Sequence, residues 1–115
     1  MLKRVLVVDD DVNNLNMMEL AAMTVGLNID TATTGEAALV KLKSGRYRKL
    51  ITDLTMPGMD GFALARAAKS ELPDLEIVLM TGSIISDLHE QAANAGISKV
   101  AAKPLGIDLL IELFT

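Results

Sequence analysis

Acidic, hydroxyl and cationic side chains close short apolar runs in this chain: Asp9 and Asp10 follow RVLVV, Asp53 follows LIT, Thr81 follows EIVLM, and Lys103 follows KVAA. In a parallel sheet every strand ends on the same edge, so groups far apart in sequence that close separate strands meet in one crevice. Two adjacent carboxylates, a third carboxylate, a hydroxyl and a lysine gathered there make a site for a divalent cation and a phosphoryl group. Asp53, at the end of a central strand, is the candidate nucleophile. Two unit charges of one sign at about 5 Å repel by roughly 3 kcal/mol at an effective dielectric near 20, so an Asp9, Asp10, Asp53 cluster is costly without a cation. Mg²⁺ suits it, with Mn²⁺ as the alternative, because Mg²⁺ keeps several waters and needs only one or two carboxylates plus phosphate oxygens.

The elements that must position these groups are legible from patterning. Strands are expected at Arg4–Val8, Ile29–Ala32, Leu50–Thr52, Glu76–Met80 and Lys99–Ala102, several of them continuous apolar runs as in a sheet covered on both faces. Helical stretches lie between them at Asn14–Val25, Glu36–Ser44, Phe62–Ser70, Ser86–Ala95 and Ile107–Phe114. Thr33 and Glu36 have capping-box spacing, Gly26, Gly45 and Gly96 stand where helix ends want a left-handed residue, and Pro73 stops the third helix. Pro57-Gly58 and Asp60-Gly61 mark a turn-rich loop after Asp53. Strict alternation of strand and helix predicts a doubly wound α/β fold, a five-stranded parallel sheet in the order 2-1-3-4-5 with helices on both faces.

Composition narrows the function classes. The 115 residues suffice for one domain, and with 50% hydrophobic but only 3% aromatic residues its core must be aliphatic. A net charge of -4 disfavours general nucleic-acid binding, and zero cysteines exclude disulfides and thiolate chemistry. No apolar run approaches a membrane span and the N-terminus lacks a signal-peptide pattern, so a cytoplasmic location is expected.

The segments LVVDDD, ITDLTMPGMDG, VLMTGS and AAKPL, in this order and at these separations, resemble the receiver domain of two-component response regulators, and the resemblance runs from about Lys3 to the end. It implies that Asp53 accepts a phosphoryl group from a phosphohistidine on a sensor histidine kinase or a histidine phosphotransfer domain. It also implies that Asp9 and Asp10 form the metal-binding acidic pair. In that scheme Asp10, Asp53 and the Thr55 backbone carbonyl bind Mg²⁺ directly while Asp9 acts mainly through water. Thr81 becomes the switch hydroxyl and Lys103 the phosphate-binding lysine, aimed by a candidate cis bond to Pro104. Thr55 and Ser83 flank the site and should tune dephosphorylation; neither carries an amide or carboxylate to orient water, so the rate should be neither unusually fast nor blocked.

Departures from the family pattern bear on output. Val100 stands where many receivers have Tyr or Phe, so an aromatic rotamer switch is excluded and Val100 either transmits a smaller packing change or signalling bypasses it. Leu105 follows Pro104 where Phe is frequent, and the last helix lacks the arginine of regulators that dimerise through that face to bind DNA. Asn14, four after Asp10, recurs in receivers of hybrid histidine kinases, and the short last helix fits a piece cut from a longer regulator or hybrid kinase. Lys41, Lys43, Arg46, Arg48 and Lys49 read as a solvated basic face beside a helix C-terminus. Met17, Met18 and Met23 read as packing residues of the first helix, and His89 as an exposed helical residue.

Rival readings fit less well. A haloacid-dehalogenase-like phosphatase needs D-x-D-x-T/V after the first strand, whereas DDDVN stands here. A flavodoxin-like nucleotide binder needs a Ser/Thr/Gly-rich phosphate loop in the same place, and an acidic loop repels phosphate. The remaining alternative is a receiver-like module that docks partners without phosphorylation; Asp53→Asn separates it from a phosphorylation switch.

Overall fold

The computed structural model describes residues 4–83 and 85–115. Strands and helices alternate: β1 (Arg4–Val8), α1 (Val12–Thr24), β2 (Ile29–Ala32), α2 (Gly35–Leu42), β3 (Tyr47–Asp53), α3 (Gly61–Glu71), β4 (Glu76–Thr81), α4 (Leu88–Asn94), β5 (Lys99–Ala102) and α5 (Ile107–Phe114). All neighbouring strands pair in parallel and the order is β2-β1-β3-β4-β5, as the alternation predicts.

Because successive strand side chains point to opposite faces, each central strand feeds two cores. Leu6, Val8, Leu50, Ile77 and Leu79 pack with Ala38, Leu42, Leu64, Ala68 and Ala92 of α2, α3 and α4. Val5, Val7, Ile51, Val78 and Met80 pack with Leu15, Met18, Ala22, Leu110 and Phe114 of α1 and α5. Burial on both faces is why these strands carry no polar alternation. Among the described residues no helix is long and apolar enough to cross a membrane.

Several expectations need correction. The cap of α2 is Thr34, whose extended backbone lets Oγ1 accept from the Ala37 N–H at 3.0 Å; the Thr33–Glu36 box does not form, and Glu36 instead lies in the first turn, where its charge meets the helix dipole. Strand β3 begins at Tyr47, ahead of the apolar run, because Arg48 and Lys49 lay their aliphatic stems into the structure. Their heads are not solvated: Arg48 Nη2 donates to the Phe114 carbonyl at 2.6 Å and Lys49 Nζ to the Leu113 carbonyl at 2.7 Å, at the C-terminus of α5. Lys41 donates to the Thr31 carbonyl and, like Lys43 and Arg46, is exposed as expected, so the basic stretch divides into a solvated part and two side chains tied to α5. Of the α1 methionines only Met18 is core; Met17 and Met23 are 50% and 65% exposed. His89 is exposed as expected. Gly26, Gly45 and Gly96 all have positive φ.

Candidate functional site

The site lies at the carboxyl edge of the sheet. Asp9 follows β1 directly, its N–H donating to the Ala32 carbonyl at 3.1 Å, while Asp53 ends β3 and Thr81 ends β4. Lys103 follows β5, tied back by its N–H to the Thr81 carbonyl at 2.9 Å, and the Lys103–Pro104 peptide is cis. Parallel pairing thus brings residues from 9 to 103 to one edge without any of them being neighbours in sequence.

Carboxylate oxygens of Asp9, Asp10 and Asp53 lie within 4.8 Å of one another. Lys103 Nζ stands between two of them, 3.2 Å from Asp9 Oδ2 and 3.2 Å from Asp53 Oδ2. Asp9 is 1% exposed and fully engaged. Its Oδ1 accepts from the Asp11 N–H at 3.0 Å, and its Oδ2 accepts from Asn14 Nδ2 at 2.6 Å and from Lys103. Asp11 in turn caps α1, accepting from the Asn13 and Asn14 N–H groups, which fixes the turn that presents Asp9 and Asp10.

The two buried carboxylates sit differently. Burial pushes Asp9 up, but the Asp11 amide, Asn14 and Lys103 outweigh it and hold the group below the ordinary carboxylate range. Burial also pushes Asp53 up; Lys103 opposes, the charge of Asp9 adds, and Asp53 stays above the ordinary range. For Lys103 burial works against the charge, yet Asp53 and Asp9 raise it above the usual lysine value, so it is a fixed cation. One lysine against three carboxylates leaves the cluster with uncompensated negative charge. The donors are all hard oxygens with Asp10 exposed to solvent, a set that fits Mg²⁺ with its remaining waters.

The other predicted residues are distributed around this cluster. Thr81 is buried and its Oγ1 accepts from the Ser83 N–H at 3.0 Å, so the hydroxyl already belongs to the turn that follows β4. Thr55 and Ser83 are exposed beside the edge. Val100 is apart from the carboxylates, half-buried against the core on the α2, α3 and α4 side. Behind Asp53 the β3–α3 loop returns so closely that a Cβ on Gly61 would stand 2.5 Å from the Asp53 carbonyl oxygen. Sequence reasoning gave Asn14 and Asp11 no role at the acidic pair; the signal was their position on the first turn of a helix that starts directly behind it.

A cleft of ≈ 440 Å³ opens beside Lys103, walled by Asp11, Asn14, Met17, Pro104 and Leu105. It runs on into an apolar groove of ≈ 240 Å³ between α1 and the start of α5, lined by Met17, Leu20, Thr24, Leu105 and Ile107. Leu20 and Ile107 are 63% and 54% exposed.

A parallel 2-1-3-4-5 sheet with an acidic cluster and a lysine at its carboxyl edge defines a class of signalling domain, and the family comparison agrees. Residues 5–115 match the response regulator receiver domain. This chain belongs to that family. The response regulator receiver protein CpdR of Brucella abortus is 32% identical over 113 residues, covering 97% of this chain and 94% of that protein. The sensor protein EvgS of Escherichia coli K12 is 33% identical over 106 residues and the aerobic respiration control sensor protein ArcB is 33% identical over 112. The chain spans only 9% and 14% of the lengths of these two sensors. Among solved structures, a CheY-like receiver domain protein from Methanospirillum hungatei superposes with a TM-score of 0.90 at 27% identity, covering 97% of this chain and 90% of that one. The chemotaxis protein CheY4 of Vibrio cholerae gives 0.89 at 25% identity, covering 97% and 95%. The protein is a two-component signalling receiver, homologous both to free-standing regulators and to the receiver segments of sensor kinases.

Proposed function

We propose that Asp53 is the phosphoacceptor of this receiver, with Asp9 and Asp10 as the acidic pair and Lys103 as the phosphate-binding cation. The observation that carries it is Lys103 Nζ at 3.2 Å from both Asp9 and Asp53, which places a fixed positive charge beside the carboxylate that would attack. A phosphohistidine on a sensor kinase or phosphotransfer domain presents its phosphorus to an Asp53 oxygen; the P–O bond forms, the P–N bond breaks and the imidazole leaves, to be reprotonated by solvent. Lys103 stabilises the charge on the phosphoryl oxygens. Asp10, Asp53 and the Thr55 carbonyl would hold Mg²⁺, with Asp9 acting through water; the ion would supply charge neutralisation for the transferring group. Water entering on the same line later hydrolyses the acyl phosphate, at a rate tuned by Thr55 and Ser83, so the domain resets itself.

After phosphorylation the Thr81 hydroxyl would turn toward the phosphoryl group and draw the Ser83 turn inward, shifting the balance between two pre-existing arrangements. Val100, half-buried, would pass on a smaller packing change than a swinging ring. The cleft beside Lys103 and the exposed apolar groove along α1 would seat the phosphodonor, which brings its histidine to the open side of the cluster. We place this exchange in the cytoplasm, where ATP-dependent kinases make phosphohistidine.

Intact mass after incubation with acetyl phosphate tests the reading. A Mg²⁺-dependent gain of about one phosphoryl group, roughly 80 Da, that Asp53→Asn abolishes is the expected result. Absence of labelling in the wild type, under conditions that label a known receiver, would favour a phosphorylation-independent docking module instead.

A further inference from the structure

We infer that Asn14 is a positioning residue, whose side-chain amide holds Asp9 in place so that Lys103 can leave it for the phosphoryl group. This rests on the reading of Asp53 and Lys103 given above. Before phosphorylation Lys103 is shared equally, 3.2 Å from Asp9 and 3.2 Å from Asp53. Once Asp53 carries a phosphoryl group, the new negative oxygens lie beyond its carboxylate, and the lysine must follow them. Its departure takes a charge-assisted contact from Asp9, a carboxylate only 1% exposed and so poorly reached by bulk water. Two protein donors remain: the Asp11 N–H on Oδ1 and Asn14 Nδ2 on Oδ2, the latter at 2.6 Å on the same oxygen that Lys103 vacates. Asn14 is neutral, so it satisfies that oxygen without competing for the phosphoryl group and without cancelling the charge that attracts a cation. Its place is set by the fold, since the Asp11 carboxylate also accepts from the Asn14 backbone N–H and pins the first turn of α1 beneath Asp9.

The inference separates two events that a general structural role would not. On this assignment a phosphoryl group draws Lys103 off Asp9, whereas Mg²⁺ alone does not. In Asn14→Leu, of similar size but with no donor, Mg²⁺ affinity measured by calorimetry should change by less than about two-fold. Beryllofluoride affinity, followed by NMR in saturating Mg²⁺, should weaken about ten-fold, the worth of one hydrogen bond to a charged acceptor. Asn14→Gln, which keeps the amide, should recover most of that loss, and thermal midpoints of all three proteins should agree within a few degrees. Equal weakening of both ligands, unchanged beryllofluoride affinity, or no recovery with Gln would each overturn the assignment. Failure of the wild type to bind beryllofluoride at all would instead overturn the reading of Asp53 itself.

Discussion

The Lys49 ammonium donates to the Leu113 carbonyl across 64 residues of sequence at 2.7 Å, fastening the start of β3 to the end of α5. The lysine side chain is 8% exposed and also lies 3.3 Å from Glu76 Oε2. Lys49→Met keeps the stem and removes the charge, which strands a carbonyl at the negative end of a helix. Glu76 is 52% exposed and loses little. The expected cost is about 2 kcal/mol, read from urea unfolding midpoints, with the rate of labelling by acetyl phosphate unchanged. A loss under about 0.5 kcal/mol would show that water replaces the lysine without penalty.

Gly61 allows no side chain. An added Cβ would stand 2.5 Å from the Asp53 carbonyl oxygen, 2.8 Å from Leu79 Cδ1 and 2.9 Å from Leu54 Cα. Two of these are backbone atoms, so Gly61→Ala must move the strand end itself. We expect a destabilisation of about 1–3 kcal/mol together with slower phosphorylation, because the main chain carrying Asp53 shifts. Labelling at the wild-type rate in a folded Gly61→Ala protein would contradict the close approach.

Asp53 is held above its ordinary range by burial and by Asp9. A carboxylate whose folded pKa is raised binds protons more tightly in the native state, so its ionisation at neutral pH costs stability. Asp53→Asn should therefore raise the thermal midpoint at pH 7 in the absence of divalent ions. The difference should shrink as pH falls through the raised pKa and the wild-type carboxylate becomes neutral, and it should also shrink on adding Mg²⁺. A mutant less stable than wild type at pH 7 without metal would show that the Lys103 contact dominates.

Tyr47 is the only tyrosine and there is no tryptophan, so absorbance near 295 nm follows one group. Burial and the Asp30 carboxylate, which accepts from the Tyr47 hydroxyl at 2.7 Å, push it up to about 12. The stabilisation this represents is complete below the unfolded value near 10 and is lost as pH rises through about 12. Asp30→Asn should lower the observed midpoint, and ionisation near 10 in the folded wild type would refute the contact.

The alternation of apolar runs and helical stretches was enough to derive the doubly wound class, because strands buried on both faces leave continuous hydrophobic segments, and the order 2-1-3-4-5 followed as the one common in five-stranded folds of that class. The same signal lost the start of β3, where Tyr47, Arg48 and Lys49 enter the sheet as amphipathic side chains; the Tyr47 hydroxyl finds the Asp30 carboxylate, and the polar ends of Arg48 and Lys49 find carbonyls of α5. These carbonyls lie 64 to 66 positions away, and no local pattern announces them. At the site, Asp9, Asp10, Asp53, Thr81 and Lys103 were legible because each closes an apolar run. Asn14 had no such marker; its role depends on a helix turn placing an amide over one oxygen of Asp9. The apolar face of α1 misled in the opposite direction, since helical spacing predicts burial for Met17 and Met23 while the fold buries Leu15, Met18, Ala21 and Ala22.

The sheet has two edges of opposite electrostatic character. At the amino edge charges are matched: Arg4 with Asp30 at 2.7 Å, Tyr47 with Asp30, Lys49 with Glu76. At the carboxyl edge one lysine faces three carboxylates. Arg4 and Tyr47 begin their strands five and six residues before Asp9 and Asp53, roughly 15–20 Å away, while Asp30, paired with Leu6, lies roughly 10 Å from the level of Asp9; mutational effects usually couple only at shorter range. Durability and reactivity are thus modular in this molecule: substitutions at the amino edge can harden or soften the fold additively, like an independent dial, while the frustrated edge keeps its appetite for a cation and a phosphoryl group.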